Sequence, residues 1–310
     1  MSDWQLKTPV ALIIFKRPQE TQRVFAEIRK AKPPKLLVVA DAPRADRPGE
    51  DQECAQARAI IDQVDWECEV LKNYADTNLG CQRRVSSGID WIFDTVEEAI
   101  IFEDDCLPDP TFFRFAEELL ERYRHDQRIM SISGQNVQFG RRRNDDSYYF
   151  SRYSHGWGWA SWRRAWKYSD LDMKLWPEIR DGNFLTDILR DPYAVKIWTN
   201  ICQLCYEGKL NAWDFQWTFA IFIQNGMNII ANVNLVSNIG HGLGGTNTKD
   251  VNSPYSNIPL EAITFPMKHP PFVVIDTQAD NFTQNTLFDY DPPFLKKVQN
   301  KVNKLLKEIR

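Results

Sequence analysis

Short apolar runs and amphipathic stretches alternate along the N-terminal half of the chain. The run "PVALIIF" (9–15) has no polar interruption, the pattern of a strand buried on both faces. "RPQETQRVFAEIRKA" follows, with Val24, Phe25 and Ile28 at helical spacing. "KLLVVAD" (35–41) predicts a second strand, ending on an acid, then "AQARAIIDQV" a helix and "ECEVLKNY" a third strand. "CQRRVSSGIDWIFDTV" predicts another amphipathic helix and "AIIFEDD" a fourth strand. Beyond "LPDP", the pattern predicts a helix over "FFRFAEELLERYRHD" and a strand over "IMSISG". Strands alternating with helices make βαβ units. The expected fold is therefore α/β, with a Rossmann-like, mostly parallel central sheet flanked by helices. Sheets of this kind bind ligands beyond the carboxyl ends of their strands. Asp41 and the triplet Glu103, Asp104 and Asp105 both fall at such ends.

The second half is less regular. "FGRRRNDDSYY" carries no core pattern and reads as a mobile polar loop. "HGWGWASWRRAW" is rich in tryptophan and glycine, helices are expected near 184–208, and "NAWDFQWTFAIFIQNG" contains a further helix. The expected organisation is a donor-binding half over 1–107, an acceptor-binding and catalytic half over 108–290, and a basic amphipathic helix over 291–310.

Composition narrows the class. A chain of 310 residues with 43% hydrophobic and 26% charged residues has the balance of a soluble protein with an ample core. A net charge of −4 gives no electrostatic case for nucleic acid. "VALIIF" is too short to span a membrane and lacks a signal-peptide layout, so a cytoplasmic location is expected. Six irregularly spaced cysteines fit reduced thiols. Cys202 and Cys205 form a CxxC without a second pair, and they read as buried helical residues. Aromatics reach 13%, with eleven tryptophans in clusters, which suits either sugar stacking or a large core.

The acid triplet invites two readings. It is either a solvated turn before Pro108 or a hard-oxygen site for Mn²⁺ or Mg²⁺, which commonly bridge carboxylates to substrate phosphates. Asp214 in "NAWDFQW" is likewise either the cap of the following helix or a general base, and the two roles are compatible. Trp213, Phe215 and Trp217 would supply low-dielectric walls that raise its pKa. Trp157 and Trp159, between or beside glycines, are candidates for sugar stacking, whereas Trp162 and Trp166 sit four apart, as core residues do. His155 is a candidate phosphate or sugar contact, with ordinary packing as the alternative. "SNIGHGLGGTNT" (237–248) reads as a loop able to close over a ligand.

Several of these segments, in order, resemble GT-A-fold glycosyltransferases across most of 9–250, notably N-acetylglucosaminyltransferase I and bacterial family-2-like enzymes. "IIFKRP" resembles the first strand of that family, "VVAD" the second, and "NLGCQRRVSSGIDWIF" its Asn-x-Gly segment and following helix. "EDDCLPDPTFF" is similar to its DxD metal motif, "WGWASWRRAW" to its acceptor loop, and "AWDFQW" to the region of its catalytic acid. The resemblance implies Arg17 and Asp41 as nucleotide contacts and Asp105 as the direct metal ligand. It further implies Glu103 facing the ribose or acting through water, Asp104 supporting the donor sugar, and Asp214 as base. Arg83 and Arg84 become candidate phosphate or nucleotide contacts, against a solvated helical position for either. Relatives carry a histidine near the Thr-rich end of the late loop, where this chain has Asn247, so His241 stands as a candidate metal ligand against an ordinary loop histidine.

The activity so implied is metal-dependent, inverting transfer of a sugar from a nucleotide diphosphate donor, a UDP-sugar, to a glycan or glycoconjugate hydroxyl, as in polysaccharide biosynthesis. A sugar-phosphate nucleotidyltransferase is the rival enzyme, but it calls for a Gly-rich phosphate loop that "IIFKRPQET" lacks. A non-catalytic carbohydrate-binding protein is the third reading. The terminal helix, with six Lys or Arg against two acids, suits either peripheral contact with an anionic membrane or packing on protein.

Overall fold

The computed structural model describes residues 4–240 and 253–288. His241 and the basic segment 291–310 lie outside the described residues, as does most of the late glycine-rich loop. The elements run β1 (Val10–Ile14), α1 (Pro18–Ala31), β2 (Lys35–Ala40), α2 (Glu50–Ala59), β3 (Glu69–Tyr74), α3 (Cys81–Thr95), β4 (Glu98–Glu103) and β5 (Cys106–Pro108). They continue with α4 (Thr111–Tyr123), β6 (Ile129–Ser133), β7 (Tyr148–Ser151), β8 (Trp159–Trp162), α5 (Arg163–Trp166), α6 (Trp176–Asp181), α7 (Leu185–Leu189) and α8 (Pro192–Tyr206). The last are α9 (Asp214–Ile223), β9 (Met227–Ala231), β10 (Val236–Asn238) and α10 (Thr277–Thr286).

An eight-stranded sheet in the order β3-β2-β1-β4-β8-β6-β9-β7 forms the frame, and β5 pairs with β10 in a separate ribbon. The pairings β1–β2, β1–β4, β2–β3 and β6–β9 are parallel, while β8 and β7 run against their neighbours. The expected mostly parallel α/β sheet is thus present. It crosses residue 107 without a break, since β4 pairs directly with β8.

Strand alternation explains the layers. Val10, Leu12 and Ile14 face a cluster with Val24, Phe25 and Ile28 of α1 and Phe112 and Leu119 of α4. Ala11 and Ile13 face the opposite cluster, with Ile89 and Ile92 of α3 and Trp213 and Trp217 of α9. Burying each large aliphatic side chain contributes roughly 1.5–3 kcal/mol, so a sheet covered on both faces has ample driving force. A third cluster, with Trp176, Trp198 and Phe222, joins α6 and α8 to the outer side of α9. Cys202 and Cys205 are buried on α8, as expected, and all six thiols are free.

The end of the arginine loop, at Asp146 and Ser147, is tied to the body of the protein. The Ser147 N–H donates to the Lys268 carbonyl, and the Asn232 amide donates to the Asp146 carbonyl. Backbone bonds reach polar segments that have no hydrophobic signature.

Candidate active site

β1, β2 and β4 end on one edge of the sheet, and the polar residues that follow them meet there. After β1, the chain passes through Phe15, Lys16 and Arg17 and enters α1 at Pro18, whose fixed φ and absent N–H suit the first helical turn. After β4, Glu103 closes the strand and Asp104 and Asp105 form the turn into β5. Asp104 accepts the Phe15 N–H at 3.0 Å and an Arg17 N–H at 3.0 Å, and the same Arg17 nitrogen donates to Asp105. Asp104 and Asp105 are buried and Glu103 is half-buried.

One guanidinium serves three crowded carboxylates. Burial raises the pKa of Glu103, and the nearby charges of Asp105, Asp104 and Asp214 raise it further. Burial also raises Asp104, with Arg17 opposing the shift. For Arg17, burial works against the charge, but Asp104, Asp105 and Glu103 outweigh it and hold the group protonated.

The acid cluster and Asp214 are brought together around Cys81, the first residue of α3. Its thiol is pushed up to about 12, first by burial and then by the negative charges of Glu103 and Asp214. Spacing gave no signal for this residue beyond its position after "NLG" at the start of a helix. Asp214 opens α9 at its first turn, immediately after the capping position held by Trp213. It is half-buried, and burial raises its pKa while the N–H groups of residues 214 and 215 hold it down. The cap expectation is thus off by one residue: Trp213 holds the capping position without a side-chain bond, and Asp214 stands in the first turn, where a carboxylate suits the helix N-terminus.

The indoles sit beneath this acid. Trp213 stacks on Trp159 with centroids 5.7 Å apart, and Trp217 lies 5.0 Å from Trp166. Trp159, at 2% exposure, is a core wall beneath the site, whereas Trp157 is half-buried. Phe215 points elsewhere, against Trp198 at 6.1 Å.

The segment 154–158 straps these parts together. Ser154 and Thr218 share a hydroxyl hydrogen bond of 2.6 Å. Gly156 lies where a Cβ would be 3.5 Å from the Trp213 ring and 3.9 Å from the Asp214 Cβ. Gly158 has φ +62, and a Cβ there would meet Val236 at 2.5 Å, so only glycine lets the strap cross β10. β10 in turn runs antiparallel to β5, and the Ile239 N–H donates to the Asp105 carbonyl at 2.9 Å. Gly240 follows so closely that a Cβ there would stand 2.7 Å from the Asp105 Cβ. His155 is buried, and neither ring nitrogen has a hydrogen-bond partner among the described residues; burial lowers its pKa to about 4, so the ring is neutral near pH 7. Gln216, two residues after Asp214, is also buried, and its amide has no partner among the described residues. Buried polar groups without partners cost about 1–3 kcal/mol each, so this strap and helix turn carry an uncompensated polar cost.

Other expected contacts are engaged structurally. Asp41 accepts N–H bonds from Ala42, Leu79 and Gly80 and one from the Asn78 side chain, which shapes the turn before α3. Arg84 is buried and donates to the Ala40 carbonyl and to Asn73, tying α3 to the ends of β2 and β3. Arg83, beside it, faces solvent.

Among the described residues, no group of three or more His, Cys, Asp or Glu side chains stands in metal-holding geometry. Asp104 and Asp105 still offer adjacent hard oxygens around one shared cation. Mg²⁺ and Mn²⁺ need one or two carboxylates when phosphates complete the shell, so this pair fits such an ion.

No family model matches the chain, and no curated protein does. Among solved structures it is similar to a UDP-glucose pyrophosphorylase complexed with UDP-glucose, at 12% identity and TM-score 0.27, over 48% of this chain and 64% of that one. It is similar to 4-diphosphocytidyl-2C-methyl-D-erythritol synthase from Anaerococcus prevotii DSM 20548, at 9% identity and TM-score 0.36, over 73% and 88%. It is also similar to mouse xyloside xylosyltransferase 1 in its apo form, at 11% identity and TM-score 0.32, over 69% and 81%. Likenesses this faint bear on neither activity nor residue roles. The class rests on the chain's own architecture, an α/β protein with a mostly parallel sheet and a cluster of acids at the carboxyl ends of its strands.

Proposed function

We propose that the protein is a metal-dependent, inverting glycosyltransferase of the GT-A type, using a nucleotide diphosphate-sugar, UDP-linked, and a glycan or glycoconjugate hydroxyl. The observation that carries this reading is the meeting of the β4 acids with Asp214 around Cys81 at one sheet edge. It supports a donor pole and an acceptor pole within one cleft.

On this reading Asp105, with Asp104 beside it, holds the divalent ion. Bound there, the ion would supply positive charge to the departing diphosphate. Arg17 moves from the two carboxylates to the donor phosphates, where its planar fork suits the oxygens. Asp214 takes the proton of the acceptor hydroxyl. The acceptor oxygen bonds to the anomeric carbon from one face while the bond to the diphosphate oxygen breaks on the other, which inverts the centre. The indoles beneath Asp214 exclude water and keep its pKa raised. Glu103 turns to the ribose, Trp157 to a sugar face, and neutral His155 donates or accepts one hydrogen bond to a sugar or phosphate oxygen. Asp41 and Arg84 act by positioning α3. The nucleotidyltransferase alternative loses ground because β1 enters α1 through Lys16 and Arg17 with no glycine loop.

Thermal unfolding with nucleotides tests this directly. UDP with Mn²⁺ is expected to raise the melting temperature, since ligand at a hundred times its Kd stabilises by about 2.7 kcal/mol. Asp105→Ala is expected to remove the metal-dependent part. Unchanged melting with every nucleotide at millimolar concentration, with or without metal, refutes the proposal.

A further inference from the structure

The arginine run of "FGRRRND" has no part in the acid cluster above, yet it lines a cleft of its own. Phe139 turns the chain at φ 50, a left-handed value that is rare for a bulky side chain. Its ring stays 45% exposed, with the rings of Tyr255 and Phe282 at 5.9 and 6.4 Å. The Arg141 guanidinium lies over Phe282, 4.0 Å from the ring centre. Arg141, Arg142 and Arg143 line a cleft of about 250 Å³ together with Gln138, Asp276 and Phe282.

The charges in this cleft are unequally committed. Arg143 stands 3.5 Å from Asp276, whose carboxylate accepts the Gln278 and Ala279 N–H groups at the start of α10. Arg142 pairs at 3.1 Å with Glu261, which is 64% exposed, and such surface pairs are worth about 0–1 kcal/mol. Arg141 has no carboxylate partner among the described residues and donates one long bond, 3.3 Å, to the Gln138 carbonyl. The guanidinium packs on the ring while the residue as a whole stays exposed.

The position matters as well. The loop follows β6, which points the same way as β1 and β4, so it opens on the same edge of the sheet. The Tyr255 segment reaches the acids through backbone bonds, with the Asn257 N–H donating to the Asn238 carbonyl at 3.1 Å and Ile239 to Asp105.

We propose that this cleft binds a carboxylate-bearing oligosaccharide, the acidic portion of the acceptor. Arg141 forks a sugar carboxylate in the planar, bidentate manner that guanidinium favours. Phe139 and Tyr255 stack on the C–H faces of the adjoining rings. A lipid surface would call for a flat cationic face, whereas these cations line a concavity beside aromatic rings. Calling the ligand an acceptor rests on the transferase reading; the binding itself does not.

Calorimetric titration of the full chain with a galacturonic acid hexamer and with the neutral glucose hexamer tests the proposal. The acidic hexamer is expected to bind about tenfold tighter or better at low salt, and the preference is expected to shrink as salt screens it. Arg141→Gln, which breaks no ion pair, should remove most of that preference, and R141Q/R142Q/R143Q should remove all of it. Phe139→Ala should weaken both hexamers. R29Q/K30Q/K32Q, with the same change of net charge on a remote helix end, should keep the preference. Asp105→Ala should keep it too while losing the response to UDP and Mn²⁺, so failure here and failure of the transferase reading are distinguishable. The proposal is overturned by equal or absent binding of the two hexamers, or by equal loss in the remote triple variant. It is also overturned by binding to phosphatidylserine vesicles in place of the acidic hexamer.

Discussion

Lys16 and Arg17 are neighbours in the chain and serve acids in opposite circumstances. Lys16 donates to Glu50 at 2.8 Å, and Arg44 gives the same carboxylate its backbone N–H and its side chain. That carboxylate is buried yet held down to about 2, chiefly by the Arg44 hydrogen bonds, which outweigh its desolvation. Among the described residues Arg17 is the one cation paired with Asp104 and Asp105, with Glu103 close by, and there the pKa values of Glu103 and Asp104 rise. A buried acid with matched partners is a structural anchor. Acids crowded beyond their cations carry a standing cost, which is tolerable where another cation can arrive.

On the transferase reading proposed above, the largest expected effect lies outside both acid groups, at Asp214. Asp214→Asn should lower turnover by about 10²–10⁴-fold while UDP with Mn²⁺ still raises the melting temperature. Near-normal turnover would remove Asp214 as the base. Next, Glu50→Gln should cost about 2 kcal/mol in denaturant unfolding, less than a fully enclosed pair because Arg44 is 39% exposed. The same anchor sets a pH dependence. Folding lowers the Glu50 pKa, so the unfolded chain takes up its proton first as pH falls. The contribution is full above about pH 5 and drains away towards pH 2, and in Glu50→Gln that part of the acid limb should flatten. Glu103→Gln should do the reverse of Glu50→Gln and stabilise the ligand-free protein by about 1 kcal/mol, roughly 2 °C, because it relieves crowding. A destabilised Glu103→Gln would erase the contrast between the two acid groups.

Much of the first half could be read from the pattern, because β1, β2, β4 and α1 are set by apolar periodicity, and Glu103–Asp105 follow directly from where β4 must stop. Other features depend on partners far along the chain. β8 occupies the middle of the sheet although "WGWASW" shows no clean alternation, because indoles fill both faces of that strand. α10 is too polar to announce itself, and Asp276 starts it by accepting the Gln278 and Ala279 N–H groups. α2 begins at Glu50, earlier than its apolar residues indicate, where that side chain is claimed by Lys16 and Arg44. Asp41 and Arg84 were legible as polar residues at strand and helix ends, but their acceptors and donors in 73–80 are set by folding. Trp159 shows the same limit, since composition cannot tell a stacking platform from the wall behind it.

The close contact at Gly240 leaves Asp105 open to damage from a residue that carries no chemistry of its own. One added methyl group at 240 would collide with the carboxylate stem. Gly240→Ala should therefore mimic Asp105→Ala in the melting response to UDP and Mn²⁺. Surveys of inactivating substitutions that watch only charged residues would overlook it.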